Sequence, residues 1–245
     1  MDRLTQIALG AMRTLNQRQG QIAHNLANTG TTGFRGDLMR ADARYVSTGG
    51  MSARAGATGG IAGTDMRAGT VNATGRPLDV AMAGDALLAV QTNDGGEGYT
   101  RRGDLVIGTT GLLETGDGML VLGECGPVSV PAHDAIRLSE DGSIHITPAG
   151  GGEEIALGRL RLTSPAGSPL AKGLDGVLRV PGGGALPADP AARLIPGSLE
   201  TSNVTATDAL VEMIAAARGF ETQVRLLTTA RELDEQGTAL MRLPA

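Results

Sequence analysis

Two apolar stripes of heptad-like spacing bracket the chain. In the first, Leu4, Ala8, Ala11, Leu15 and Ile22 follow steps of four and three, with Arg18 in the one polar slot and Leu26 one residue past the next strict slot. This spacing predicts an amphipathic helix, opened by Asp2 and stopped by Asn28-Thr29-Gly30. In the second, Ala206, Leu210, Met213, Ala217, Phe220, Val224 and Leu227 fill successive slots without a polar intruder, and the seam decays through Arg231, Asp234 and Thr238. Thr205 with Asp208 three residues on spells a capping box at its start. Each helix is too apolar on one face to stand alone in water. The two are expected to pair with each other, with other copies, or with both.

Between them the period changes. Short runs such as Leu78–Met82, Ala86–Gln91, Met119–Leu122, Val128–Val130, Ile144–Ile146 and Leu160–Leu162 are separated by Asp94-Gly95, Asp117-Gly118, Asp141-Gly142 and Asp175-Gly176. Aspartate-glycine pairs suit hairpin turns, and many short strands near ten residues apart predict an antiparallel sandwich or open barrel. Residues 35–74 are rich in Gly, Ala, Thr and Ser with weak periodicity and read as an extended connector.

Composition sharpens this division. Of 38 glycines in 245 residues, only Gly10, Gly20, Gly219 and Gly237 lie outside residues 30–205. The middle therefore has the turns and the ends have the continuous helices. With two Phe, two Tyr and no Trp, the core must be aliphatic. A net charge of −5 and the scarcity of rings argue against a nucleic-acid surface. No run approaches the length of a membrane-spanning helix. The opening residues have no apolar stretch before a cleavage site, so the expected route is cytoplasmic or an export path without a cleaved signal. One cysteine, Cys125, leaves no intramolecular disulfide.

The search for chemistry is mostly negative. His24, His133 and His145 are scattered and fit no metal-ligand spacing. Glu153-Glu154 sits in a glycine-rich loop, and Gly182-Gly183-Gly184 lacks the Lys-Ser/Thr of a phosphate loop. Neither a metal nor a cofactor is expected, and no enzyme. A peptidoglycan hydrolase or an adhesin-like β module are the competing classes. The first lacks a convincing catalytic set, and the second has no use for two terminal heptad helices.

One segment is distinctive. Asn25-Leu26-Ala27-Asn28-Thr29-Gly30-Thr31-Thr32-Gly33-Phe34-Arg35 resembles the N-L-A-N-x-x-T-x-G-F-[KR] signature of bacterial flagellar rod and hook proteins. Thr74–Ala81, Tyr99-Thr100-Arg101-Arg102-Gly103 and Gly197-Ser198-Leu199-Glu200-Thr201-Ser202-Asn203-Val204 are similar to further motifs of that family, in the same order. One departure is Gly84-Asp85-Ala86-Leu87-Leu88, where the family commonly has G-x-G-F-F; lost ring volume there implies repacking. Length, the Met1–Leu4 opening and Phe34-Arg35 are more similar to proximal than to distal rod members, which are the alternative.

The resemblance implies a mainly β fold, with a central antiparallel domain flanked by terminal helices that pair as a coiled coil. The expected divisions are 1–34, 35–74, 75–196 and 197–245. It also implies a structural subunit of the periplasmic rod, delivered by the flagellar type III export apparatus and partnered by its own copies and by neighbouring rod proteins. The expected assembly residues are Leu4, Leu15, Ile22 and Leu26, packed against Leu210, Met213, Phe220 and Val224, together with Leu227. Asn25, Asn28, Gly33, Phe34, Leu199, Glu200, Ser202, Asn203 and Val204 join them from the motifs.

Overall fold

The computed structural model describes residues 2–48, 51–165 and 167–240, with side chains for 6–39, 63–165 and 167–238. The chain is mainly β with one long helix toward each end: α1 spans Asp2–Ala27 and α2 spans Ala206–Leu240. After α1, β1 (Asp37–Thr48) and β2 (Met51–Thr64) form a two-stranded sheet. The segment expected as an extended connector thus includes a long ribbon. Its signal was the alternation of Met39, Ala41, Ala43 and Tyr45 with Arg40, Asp42 and Arg44, which the small-residue composition concealed. Contacts group the chain into two compact units. One contains α1, β1, most of β2 and α2; the other contains Asn28–Gly36 and Gly63–Val204.

In the helical unit, α1 and α2 pack on each other. Ala8 and Ile22 are buried on α1, and Leu15 and Leu26 are half-buried. On α2, Ala209 and Ala216 are buried, while Met213, Phe220 and Leu227 are half-buried. Leu210 and Val224 depart from the expected seam, being 50% and 39% exposed. The reason is proximity: a Cβ placed on Gly219 would lie 3.3 Å from Leu15 Cδ2, and so close an approach favours alanine over leucine or valine. The side chain of Leu4 lies outside the described residues. Thr205 caps α2, its Oγ1 accepting from Asp208 N at 3.1 Å, and the Asp208 carboxylate expected to complete a capping box accepts from the Thr205 hydroxyl instead, at 2.7 Å.

The β unit is built on a nine-stranded sheet. Its order is Ala171–Lys172, Leu178–Arg179, Glu97–Thr100, Leu87–Gln91, Leu120–Gly123, Leu113–Thr115 and Leu105–Ile107. Gly126–Pro127 pairs with Leu120–Gly123, and Leu162–Thr163 with Leu87–Gln91. His133–Leu138, Ser143–Pro148 and Ile155–Arg159 make a three-stranded sheet. Two ribbons complete the unit: Leu194–Pro196 on Val80–Met82, and Ser198–Glu200 on Val71–Ala73.

Leu87–Gln91 is covered on both faces. Leu88 and Val90 join the main aliphatic core with Met82, Leu105, Val121, Ile144 and Leu160. Leu87 and Ala89 face a second cluster with Tyr99, Leu178 and Leu186. All four Asp-Gly turns have their glycine at positive φ, between 79° and 88°. Val128–Val130 makes an isolated antiparallel bridge, Ser129 to Leu112, closed by Leu113 N donating to Val128 O at 2.9 Å and Val130 N to Gly111 O at 2.8 Å.

Candidate functional site

The expected motif residues divide between the two units. In the helical unit Asn25, near the end of α1, grips the backbone of Asp37 from both sides. Its Oδ1 accepts from Asp37 N at 2.9 Å and its Nδ2 donates to Asp37 O at 3.1 Å. Gln21 Nε2 donates to the same carbonyl, and His24 Nδ1 lies 2.9 Å from the Asp37 carboxylate. The signature asparagine therefore fixes the first residue of β1 against the last turns of α1 within the helical unit.

In the β unit the signature loop and the C-terminal motif meet. Asn28 closes a turn by accepting from Thr31 N through its carbonyl and from Thr31 Oγ1 through its side chain, both at 3.1 Å. Gly33 N then donates to Glu200 O at 2.7 Å. Only glycine fits here. Gly33 has φ +66°, and a Cβ would lie 2.3 Å from Arg101 O. Phe34 is buried, and Lys172 Nζ sits 4.1 Å from its ring centroid.

Glu200 is the centre of the junction. It is 0% exposed and sits on the Ser198–Glu200 strand, with Arg35 Nη2 2.7 Å from Oε1 and Arg101 Nη2 2.7 Å from Oε2. Gly69 N also donates to Oε1 at 2.7 Å. Arg101 spends its remaining donors on the carbonyls of Met82, Gly84 and Ala86, at 2.9, 2.6 and 2.6 Å. Burial lowers the Arg101 pKa, and the charge of Glu200 opposes that shift. One carboxylate thus joins the loop after α1, the strand before α2 and the main sheet.

Asn203 makes the second joint. Its Oδ1 accepts from Gly36 N at 2.8 Å, its Nδ2 donates to Asp65 O and Arg67 O at 2.8 and 3.0 Å, and its own N donates to Phe34 O at 3.2 Å. Ser202 Oγ accepts from Val204 N at 3.2 Å, shaping the exit toward α2. Leu199 pairs with Asn72 and is half-buried.

The sequence singled out Glu200 and Asn203 as motif residues expected in assembly, and did not name Arg35, Arg101 or Lys172 beside them. The local signal was weak: the Ser198–Glu200 strand is mostly polar, and the burial of Glu200, which requires a cation, shows only in the fold. Which cation could not be read, because Arg101 is 99 residues away. Among the described residues no cluster of His, Cys, Asp and Glu could hold a metal, and no helix is long and apolar enough to cross a membrane. Cys125 is exposed, and Glu154 is in a surface ion pair with Arg137 at 2.9 Å.

Comparison with known proteins gives the same order of parts. The family model "Flagellar basal body rod FlgEFG protein C-terminal" matches residues 195–240, and "Flagellar hook protein FlgE/F/G D1 domain" matches residues 81–148. The chain is 42% identical over 238 residues to the flagellar basal-body rod protein FlgF of Escherichia coli K12, covering 94% of each. It is 39% identical to FlgF of Salmonella typhimurium LT2, covering 99% of this chain and 100% of the relative. To the flagellar basal-body rod protein FlgG of Bacillus subtilis 168 it is 30% identical, covering 96% and 97%.

Proposed function

We propose a mode of assembly for this chain, which belongs to the flagellar basal-body rod protein family and is a structural rod subunit of the FlgF kind. The helical unit is the part that polymerises. α1 and α2 pair as a coiled coil in the subunit, and the apolar surface this leaves open is buried against further copies and neighbouring rod proteins. The observation that carries this reading is on α2, where Leu210, Val211, Ile214, Leu226 and Leu233 are 50 to 62% exposed. Burying such surface yields on the order of 25 cal/mol per Å², so assembly and full ordering of the helices reinforce each other. Repetition of a head-to-tail contact that does not close generates a helical shaft.

In this reading the subunit reaches the periplasm through the flagellar export apparatus without a cleaved signal, occupies the proximal rod and transmits torque. Its work is mechanical, with no catalytic residue assigned. The distal rod position is not favoured, since the FlgF relatives from Escherichia coli and Salmonella are 42% and 39% identical against 30% for the Bacillus FlgG.

Thiol protection tests this exposed surface of α2. Leu210→Cys in a Cys125→Ser background should react readily with a maleimide in the free subunit and be protected in isolated basal bodies. Equal reactivity in both states would overturn the assignment of this face.

A further inference from the structure

We propose that Lys172 is a positioning residue that straps the signature loop to the main sheet by holding the Arg35–Gly36 peptide. Lys172 is the single lysine among 21 basic residues, and it lies on the two-residue edge strand Ala171–Lys172. Its Nζ donates to Arg35 O at 2.7 Å while resting 4.1 Å from the Phe34 ring centroid. The N–H of the same peptide, on Gly36, donates to Asn203 Oδ1 at 2.8 Å. One peptide group is thus gripped at its carbonyl by Lys172 and at its amide by Asn203. Bonds at both ends of an amide polarise it and strengthen one another.

The geometry accounts for lysine in a chain that otherwise uses arginine. A compact ammonium has donors in three directions and can press on a ring while aiming one N–H at a carbonyl. A planar guanidinium stacked on the ring keeps its N–H groups in its own plane, away from a carbonyl off the stacking face. Lys172 therefore sets the orientation of the peptide that Asn203 must find, and with it the joint between signature loop and C-terminal motif. That this joint serves rod assembly rests on the proposed function; that Lys172 holds the loop does not.

Hydrogen exchange of the full-length chain tests the strap. In Lys172→Met the Gly36 amide should exchange about tenfold faster, while the Tyr99 amide, deep in the sheet, keeps its rate. Lys172→Cys in a Cys125→Ser background should show the same loss, and alkylation with bromoethylamine, which returns an ammonium at nearly the original reach, should restore protection. Unchanged Gly36 exchange in Lys172→Met, or failure of the alkylated protein to recover, overturns the proposal. Should Lys172→Met not fold, the unsubstituted chain still decides: acetic anhydride should acetylate native Lys172 at least tenfold more slowly than in denaturant, and equal rates contradict the strap. If exchange behaves as expected but Lys172→Met cells swim with complete rods, the strap stands and its link to assembly falls.

Discussion

Arg101 Nη2 lies 2.7 Å from Glu200 Oε2 at a point where the two side chains are 3% and 0% exposed. Desolvating both charges is costly, and the pair persists because every donor of Arg101 also reaches a carbonyl or the carboxylate. Removing Arg101 leaves Glu200 with Arg35 alone and strips the carbonyls of Met82, Gly84 and Ala86 of this buried donor. Arg101→Met should therefore lower the stability of the β unit by about 3–5 kcal/mol, read as a lower urea midpoint. A loss below about 1 kcal/mol would mean the pair behaves like a surface ion pair.

Gly33 and Gly30 offer a matched comparison within one loop. Gly33→Ala places a methyl group 2.3 Å from Arg101 O at φ +66°, whereas nothing lies within 4 Å of a Cβ at Gly30. The first substitution should cost about 2 kcal/mol or more and the second about 0.5 kcal/mol or less. Thermal unfolding of the two variants measures this, and equal shifts would remove the steric argument.

At Gly219 two effects compete. Alanine in a helix interior is favoured over glycine by about 1 kcal/mol, while the added methyl meets Leu15 Cδ2 at 3.3 Å, the mobile end of a side chain. Gly219→Ala should be neutral or stabilising, and Gly219→Leu should force α1 and α2 apart. Far-ultraviolet circular dichroism should show helix retained in the first variant and lost in the second.

Tyr99 supplies a pH dependence. Burial, assisted by the neighbouring Glu97 carboxylate, pushes its phenol up to about 12, against about 10 when unfolded. Between those values the native chain holds one proton more than the unfolded chain, so stability falls with rising pH. The contribution is complete below about pH 10 and is lost as pH rises through about 12. In a Tyr45→Phe background Tyr99 is the single tyrosine. Its phenolate absorbance should then titrate near the higher value, and a midpoint near that of free tyrosine contradicts the buried placement.

How legible these features were depended on their range. Helix caps, Asp-Gly turns and the apolar period of α1 are local, and residues such as Thr205, Gly118 and Ile22 declared them in the sequence. The face of α2 that packs on α1 did not declare itself. Ala209 and Ala216 compete with Leu210 and Ala217 one residue away, and only the close approach at Gly219 decides between them. The β1–β2 ribbon was concealed by small residues with low strand preference. At the junction, Glu200 and Asn203 could be picked out, yet their partners Arg35, Arg101 and Gly36 lie far from them in the chain and only the folded topology brings them together.

On the proposed mode of assembly, the α2 surface of this rod subunit is completed by its neighbours. Electron microscopy of isolated basal bodies tests it most directly, in a strain lacking the gene and complemented with either the natural chain or Leu210→Asp/Ile214→Asp. The natural chain should restore a continuous rod, and the doubly substituted chain should leave the rod truncated where the gene-less strain stops. Complete rods built with the substituted chain, or in the strain without the gene, would contradict the account.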